Sequence, residues 1–239
     1  MPRAIKSVLT QTYTNIEVII IDDGSTDETP SIIFAYPTVH YYYQQNKGIA
    51  AARNNGIKNS SGKYLIFLDA DDWLLPDAVE NNLAVIGQNT DIAFVSGNYF
   101  LFRAETGVLE EVSVLVSEHH YVEMLQRNYI GMIATVMFAK WVFENIQYDE
   151  RLSACEDYDL FLRITRQFPV VHHQKTIATY YFHKNGLSHN YNNMMNTIKI
   201  VMGKQLDFVQ NPQEKIAYQI GMQQWKDYHL MISDNLKQD

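Results

Sequence analysis

The sequence predicts an α/β fold: a mixed, mostly parallel sheet flanked by helices, with a helical C-terminal extension. Three observations lead there. Over the first ninety residues, short β-branched or aromatic runs alternate with helical patterns, which calls for parallel strands joined by crossover helices. Two of the apolar runs end in clusters of aspartate, at the edge of such a sheet where ligands bind. From residue 192 onward the pattern is helical.

Taken in order, residues 4–11 read as a short helix with Ile5, Val8 and Leu9 on one face. Residues 17–21 (EVIII) form a buried strand, 22–27 an acidic loop and 28–35 a helix. Residues 39–43 are a second strand. Residues 48–59 are a helix closed by Ser60, Ser61 and Gly62. Residues 64–68 (YLIFL) are a continuous apolar strand with 69–72 at its C-terminal end, and Pro76 opens a helix at its first position. The second half is less regular. Strands are predicted over 92–99, 133–139 and 177–182, and helices over 117–128 and 153–168, where Leu160, Ile164 and Phe168 recur every fourth residue. This divides the chain into a domain over 1–190, with halves 1–91 and 92–190, and a helical extension over 191–239.

The chain has 239 residues, enough for one large α/β domain or two small ones. Its net charge of −8 excludes non-specific nucleic-acid binding, which needs a basic face, and fits a cation bridging an anionic ligand to acidic side chains. A single cysteine, Cys155, excludes an internal disulfide and points to a reducing compartment. No apolar run is long enough to span a bilayer and no signal peptide is visible. The sixteen tyrosines suit a cleft for sugars or bases, although a tyrosine-rich core would look the same.

Four segments carry candidate chemistry. In YLIFLDADDW (64–73), Asp69, Asp71 and Asp72 crowd the end of a buried strand. Their repulsion is relieved by a cation, and oxygen ligands favour Mg²⁺ or Mn²⁺. A polar helix-capping turn needs only one of the three. A phosphatase of the haloacid-dehalogenase type also sets DxD after an apolar strand, but in its first strand and with Thr or Val next. In IDDGSTDET (21–29), Asp22 and Asp23 emerge at the sheet edge, Gly24 allows a tight turn, and Ser25 and Glu28 have capping-box spacing. In QNKGIAAARNNG (45–56), Lys47 and Arg53 are cations able to offset a diphosphate, or a solvated helix face. In SACEDYDLFLR (153–163), Ser153 and Glu156 again have capping-box spacing, which leaves Asp157 and Asp159 unexplained.

Together, in this order and spacing, the four segments resemble glycosyltransferase family 2. The family reads SVLxQTYxNxEIIIVDDGSTD, NxGxxxARNxG, GxYIxFLDADD and EDxDLxLR; this chain matches at 7–27, 46–56, 62–72 and 156–163. The resemblance covers roughly residues 1–190 and implies the GT-A fold, a Rossmann-like nucleotide-diphospho-sugar transferase. It implies an inverting transfer from a nucleotide-sugar donor, UDP-linked, to a glycan or lipid-linked acceptor, in bacterial surface polysaccharide synthesis on the cytoplasmic face of the membrane. Asp157 is then the general base. Asp22, Asp23, Lys47, Arg53, Asp69 and Glu156 line the nucleotide sugar, with Asp23 at the base, Arg53 near the nucleotide or its diphosphate and Asp69 at the ribose. Asp71 holds the divalent metal, with His183 of YYFHKNGLSH (180–189) as a further metal or phosphate contact. A nucleotidyltransferase would carry a Gly-rich basic loop, which is not visible, and a non-catalytic binding module stays open. The C-terminal helices pack on the domain, self-associate or touch the membrane surface, with mixed charge favouring the first two.

One departure has structural weight. The family's first strand, which lies mid-sheet, has no counterpart ahead of the helix at 4–11. A gap with unpaired backbone groups is expected beside residues 17–21 unless another segment fills it, and with it weak nucleotide-sugar binding by this chain.

Overall fold

The computed structural model describes residues 1–184, 186 and 191–235, with side chains to 231. The helices are α1 (Pro2–Leu9), α2 (Thr29–Phe34), α3 (Ile49–Asn59), α4 (Ala78–Ile86), α5 (His120–Gln126), α6 (Glu156–Thr165), α7 (Tyr191–Gly203) and α8 (Pro212–Asn235). The strands are β1 (Val18–Asp23), β2 (Val39–Gln44), β3 (Tyr64–Ile66), β4 (Trp73–Leu74), β5 (Phe94–Arg103), β6 (Leu109–Val112), β7 (Met137–Ala139) and β8 (Val170–Phe182). The predicted positions of most elements hold, and the differences have local causes. Pro76 precedes its helix instead of opening it, because Gln11 accepts from the amide of Val79 and so caps α4 from outside. Gln11 also donates to the carbonyl of Leu75, which fixes α1 against this turn. The strand predicted at 133–139 starts with a 3₁₀ turn over Ile133–Thr135. The strand predicted at 177–182 begins at Val170, pairing in parallel with β5 across a register shift near Ser96 and Asn98.

The strands form two sheets. β1 and β2 pair in parallel and alone. The other sheet is mixed, in the order β3-β7-β5-β8-β4, with β6 on β5. β3 and β4 from the first half of the chain therefore pair with β7 and β8 from the second, so the two predicted halves share one sheet. Among the described residues no strand lies between β1 and β3, so the continuous parallel sheet expected over the first ninety residues is split there. Val18 to Ile21 are all apolar and none is fully buried, as an uncovered strand edge requires.

The main core lies between the larger sheet and α4, α5, α6, α7 and α8. It centres on Phe94, Phe138, Phe161, Leu160, Leu162 and Ile164, with Phe94 and Phe138 packed edge to face at 5.6 Å. Of the residues read at four-residue spacing, Leu160 and Ile164 are buried on α6, which is buried on most of its faces, and Phe168 packs partly buried beyond its end. α8 packs on α5 so closely that a Cβ on Gly221 would lie 2.0 Å from the carbonyl oxygen of Leu125. Its other side exposes Ile216, Ile220, Leu230 and Met231. No helix among the described residues is long and apolar enough to cross a membrane. Residues 185, 187–190 and 236–239, which include most of the end of the 180–189 motif, lie outside the described residues.

Candidate functional site

The four acidic or basic segments converge at the carboxyl ends of β1 and β3. At the end of β1 the two aspartates turn to opposite faces, as strand alternation requires. Buried Asp22 accepts from the amide of Ser25 at 2.7 Å and from the Tyr41 hydroxyl at 2.7 Å. The hydrogen bond to Asp22, together with burial, pushes the Tyr41 phenol up to about 12, so it stays a donor. Asp23 accepts from the backbone amides of Lys47 and Gly48, each at 2.8 Å, and from Gln44 Nε2 at 2.7 Å. Both carboxylates thus set the shape of the loops around them. Gly24 sits at φ 85°, and a Cβ there would lie 2.8 Å from the amide nitrogen of Asn46, so the turn needs glycine.

The capping boxes read from the sequence do not form. α2 begins at Thr29, and Asp27, not Ser25, accepts its amide. α6 begins at Glu156 behind Cys155, a left-handed residue at φ 53°, while Ser153 donates to Asn193. Glu156 is spent elsewhere: its carboxylate accepts from Arg53.

Arg53 is the hub. It lies on α3, is 8% exposed, and donates from Nη1 to Glu156 Oε1 at 2.5 Å and from Nη2 to Asp69 Oδ1 at 2.9 Å. Its guanidinium lies over the ring of Tyr148, 5.5 Å from the centroid. The chain of contacts runs from Asp23, through the start of α3, to Arg53, then to Asp69 and Glu156. It brings all four segments into one cluster. Asp157 stands next to it, half-buried, with Oδ1 accepting the amide of Tyr158. Burial first, then the neighbouring Glu156 carboxylate, push Asp157 up to about 6 against the lowering pull of Arg53.

Asp71 and Asp72 part company. Asp72 is 2% exposed and accepts the amide of Tyr181 at 2.8 Å, tying the loop to β8. Burial, then the nearby charges of Asp69 and Asp71, push it up to about 8 despite that hydrogen bond. Asp71 stays accessible, with Oδ2 3.1 Å from His183 Nε2 and its carbonyl accepting from Arg3. Arg3 in turn lies over Trp73, 3.6 Å from the ring centroid. An accessible carboxylate beside an imidazole is a donor pair suited to a hard divalent cation whose other ligands come from substrate oxygens and water. No group of three or more such side chains gathers among the described residues. Lys47 is exposed near the Asp23 loop.

Three contributors were not read from the sequence. Tyr148 is buried beneath the Arg53 guanidinium, with a hydroxyl that makes no hydrogen bond among the described residues. Gln44, held by Asn55, orients Asp23. Gln11 fixes the turn beyond the aspartate loop. None belongs to an acidic cluster or has a period of its own, so spacing gave no signal for them.

Comparison with known proteins shows the family and the fold. The sequence profile of Glycosyl transferase family 2 matches residues 1–140. An uncharacterised glycosyltransferase of Rickettsia conorii is 39% identical over 165 residues, 67% of this chain and 27% of that protein. The putative colanic acid biosynthesis glycosyl transferase WcaA of Escherichia coli is 34% identical over 173 residues, 70% of this chain and 61% of that protein. The chain spans about a quarter of the length of the Rickettsia conorii relative. Among solved structures, S. aureus TarS 1–349 in complex with UDP superposes with a TM-score of 0.67 at 16% identity, over 92% of this chain and 66% of that one. The mannosyltransferase PcManGT of Pyrobaculum calidifontis, in complex with GDP-Man and Mn²⁺, gives 0.64 at 15% identity, over 94% of this chain and 64% of that one. At such identities these two structures establish the shared fold.

Proposed function

Because the chain belongs to glycosyl transferase family 2, we propose that its acidic cleft transfers a sugar, with inversion, from a nucleotide-sugar donor to a hydroxyl of a glycan or lipid-linked acceptor. The donor is UDP-linked and the product a bacterial surface polysaccharide. The observation that carries this reading is the convergence of the DxD aspartate Asp69 and the ED glutamate Glu156 on one buried arginine, with Asp157 beside them.

Asp157 is the base. Raised to about 6, it is ionised at neutral pH yet basic enough to take a proton. It removes the proton of the acceptor hydroxyl as that oxygen bonds to the anomeric carbon. The bond from that carbon to the diphosphate oxygen breaks, and its electron pair leaves with the nucleoside diphosphate. Asp69, partly exposed and oriented by Arg53, reaches the ribose. Asp22 and Asp23 shape the base pocket, and Lys47 meets the phosphates. Asp71 and His183 would hold a Mn²⁺ or Mg²⁺ ion, which offsets the negative charge of the departing diphosphate. The reaction is placed in the cytoplasm, at the inner face of the membrane, with the exposed apolar side of α8 available for self-association or peripheral membrane contact.

The split between β1 and β3 favours a second reading, a binding module that keeps the acidic segments and does not turn over. Calorimetric titration with UDP and UDP-sugars, with and without Mn²⁺, together with detection of UDP released from the donor, separates the two. Metal-dependent binding with donor turnover supports the transferase. Binding without turnover supports the module. Absence of binding across UDP, GDP and their sugars overturns the nucleotide-sugar reading.

A further inference from the structure

Resemblance places Arg53 near the nucleotide or its diphosphate, but its surroundings describe another task. The guanidinium is buried, and both terminal nitrogens are committed, one to Glu156 and one to Asp69. Its flat face is covered by the Tyr148 ring. Tyr148 is itself clamped by Phe67 at 5.4 Å and Phe143 at 6.4 Å. Three carboxylates, Asp69, Glu156 and Asp157, stand around this one cation, so the cluster holds more negative than positive charge. They come from segments 16 and 103 residues away from Arg53 along the chain. Among the described residues no strand lies between β1 and β3, and Arg53 ties α3 directly to α6 through Glu156.

Resting on the glycosyl-transfer reading, we propose that Arg53 is a positioning residue for the transfer and makes no contact with the donor's phosphates. Through Glu156, it fixes Asp69, which meets the donor, at a set distance from the adjacent Asp157, which meets the acceptor. A planar fork can hold two carboxylates at once, and an ammonium on a flexible stem cannot hold the same spacing. A displacement on the order of 1 Å between reacting groups costs about 100-fold in rate.

The test compares Arg53→Lys and Arg53→Gln with the full chain. It measures UDP and uridine affinities by calorimetry in Mn²⁺, kcat and KM for donor hydrolysis, and Tm. A phosphate contact and a positioning tie give opposite results in the ratio of UDP to uridine affinity. The expected result is a kcat about 100-fold lower in the Gln variant, an unchanged UDP-to-uridine ratio, and partial recovery of kcat in the Lys variant. A ratio that falls tenfold or more with Gln and returns with Lys identifies a phosphate contact and overturns the proposal, while the glycosyl-transfer reading stands. If Gln unfolds the chain, the Lys variant carries the same comparison: a lowered kcat at constant ratio supports positioning, and wild-type kcat overturns it. A wild-type chain that binds neither ligand and consumes no donor refutes the glycosyl-transfer reading, and this inference with it.

Discussion

Asp157 gives the sharpest test of the chemistry, because its environment sets a number. An aspartate in water titrates near 3.9, whereas burial and the Glu156 charge push this one up to about 6. Relative to an aspartate in water the fold favours the neutral acid, and the base appears as pH rises through about 6. A group titrating at about 6 is roughly 10% ionised at pH 5 and roughly 90% at pH 7, so turnover should rise about tenfold between them. An unshifted aspartate would already be more than 90% ionised at pH 5 and would leave the rate almost flat. The sign for stability is opposite: the folded state holds the proton more tightly than the unfolded chain, so stability contributed at low pH is lost as pH rises from about 3.9 through about 6. The assay is initial-rate release of UDP from the donor in constant-ionic-strength buffers from pH 4.5 to 8, beside Asp157→Asn. The Asn variant should lose about 10²- to 10⁴-fold in rate and the acid limb with it. A wild-type rate that is flat between pH 5 and 7, or an Asn variant that keeps the same limb, would refute the assignment of Asp157 as the base.

Two further predictions concern the scaffold. Asp159 is fully buried and holds Arg163 at 2.8 Å and Lys204 at 2.8 Å, joining α6 to the end of α7. Asp159→Ala removes the buried partner the two cations share, while Lys204 keeps Asp149 at 2.6 Å and Arg163 keeps the Gln147 carbonyl at 2.8 Å, so urea melts should show a loss of about 1–3 kcal/mol, and a loss under about 0.5 kcal/mol would mean the network is not structural. Adding an apolar β-strand upstream of Met1 should pair the open edges of β1 and β3, raising Tm by about 2–4 °C per kcal/mol gained and tightening UDP binding. Unchanged Tm and affinity in the extended chain would show that the gap is of no consequence.

Much of the fold was legible because local signals and tertiary demands agreed. The β-branched run before Asp22, the apolar run before Asp69 and the four-residue period of α6 each report burial directly. The cluster positions of Asp69, Asp71, Asp22, Asp23, Glu156 and Asp157 were legible as acidic crowding at strand and helix ends. What was not legible depends on partners far away in sequence. The spacing of Ser153 and Glu156 reads as a cap, but the charge of Arg53, 103 residues away, outcompetes a backbone amide for the Glu156 carboxylate. Gln11 looks like a surface polar residue, and becomes a cap for α4 only once α1 lies against the turn after β4. Asp72 reads as a third ligand, while burial against β8 turns it into a tie to Tyr181.

The split sheet changes what holds the site together. In an uninterrupted parallel sheet, the two acidic loops would be spaced by backbone hydrogen bonds between strands, a stiff and sequence-independent ruler. Here β1 and β3 belong to different sheets, and side chains take over that task. At one end Glu17, just before β1, accepts the amides of Ser61 and Gly62, each at 2.6 Å, just before β3. At the other end Asp23 holds the loop into α3, and Arg53 of that helix holds Asp69 beyond β3. Side-chain ties rotate and exchange with water more readily than a strand ladder does, and ion pairs among them weaken as salt rises. Glu17 and Arg53 therefore act on the same coordinate from opposite ends. Loss of either leaves the other as the main tie between the two loops, so their effects on donor affinity and turnover should exceed the sum of the single changes when both are removed.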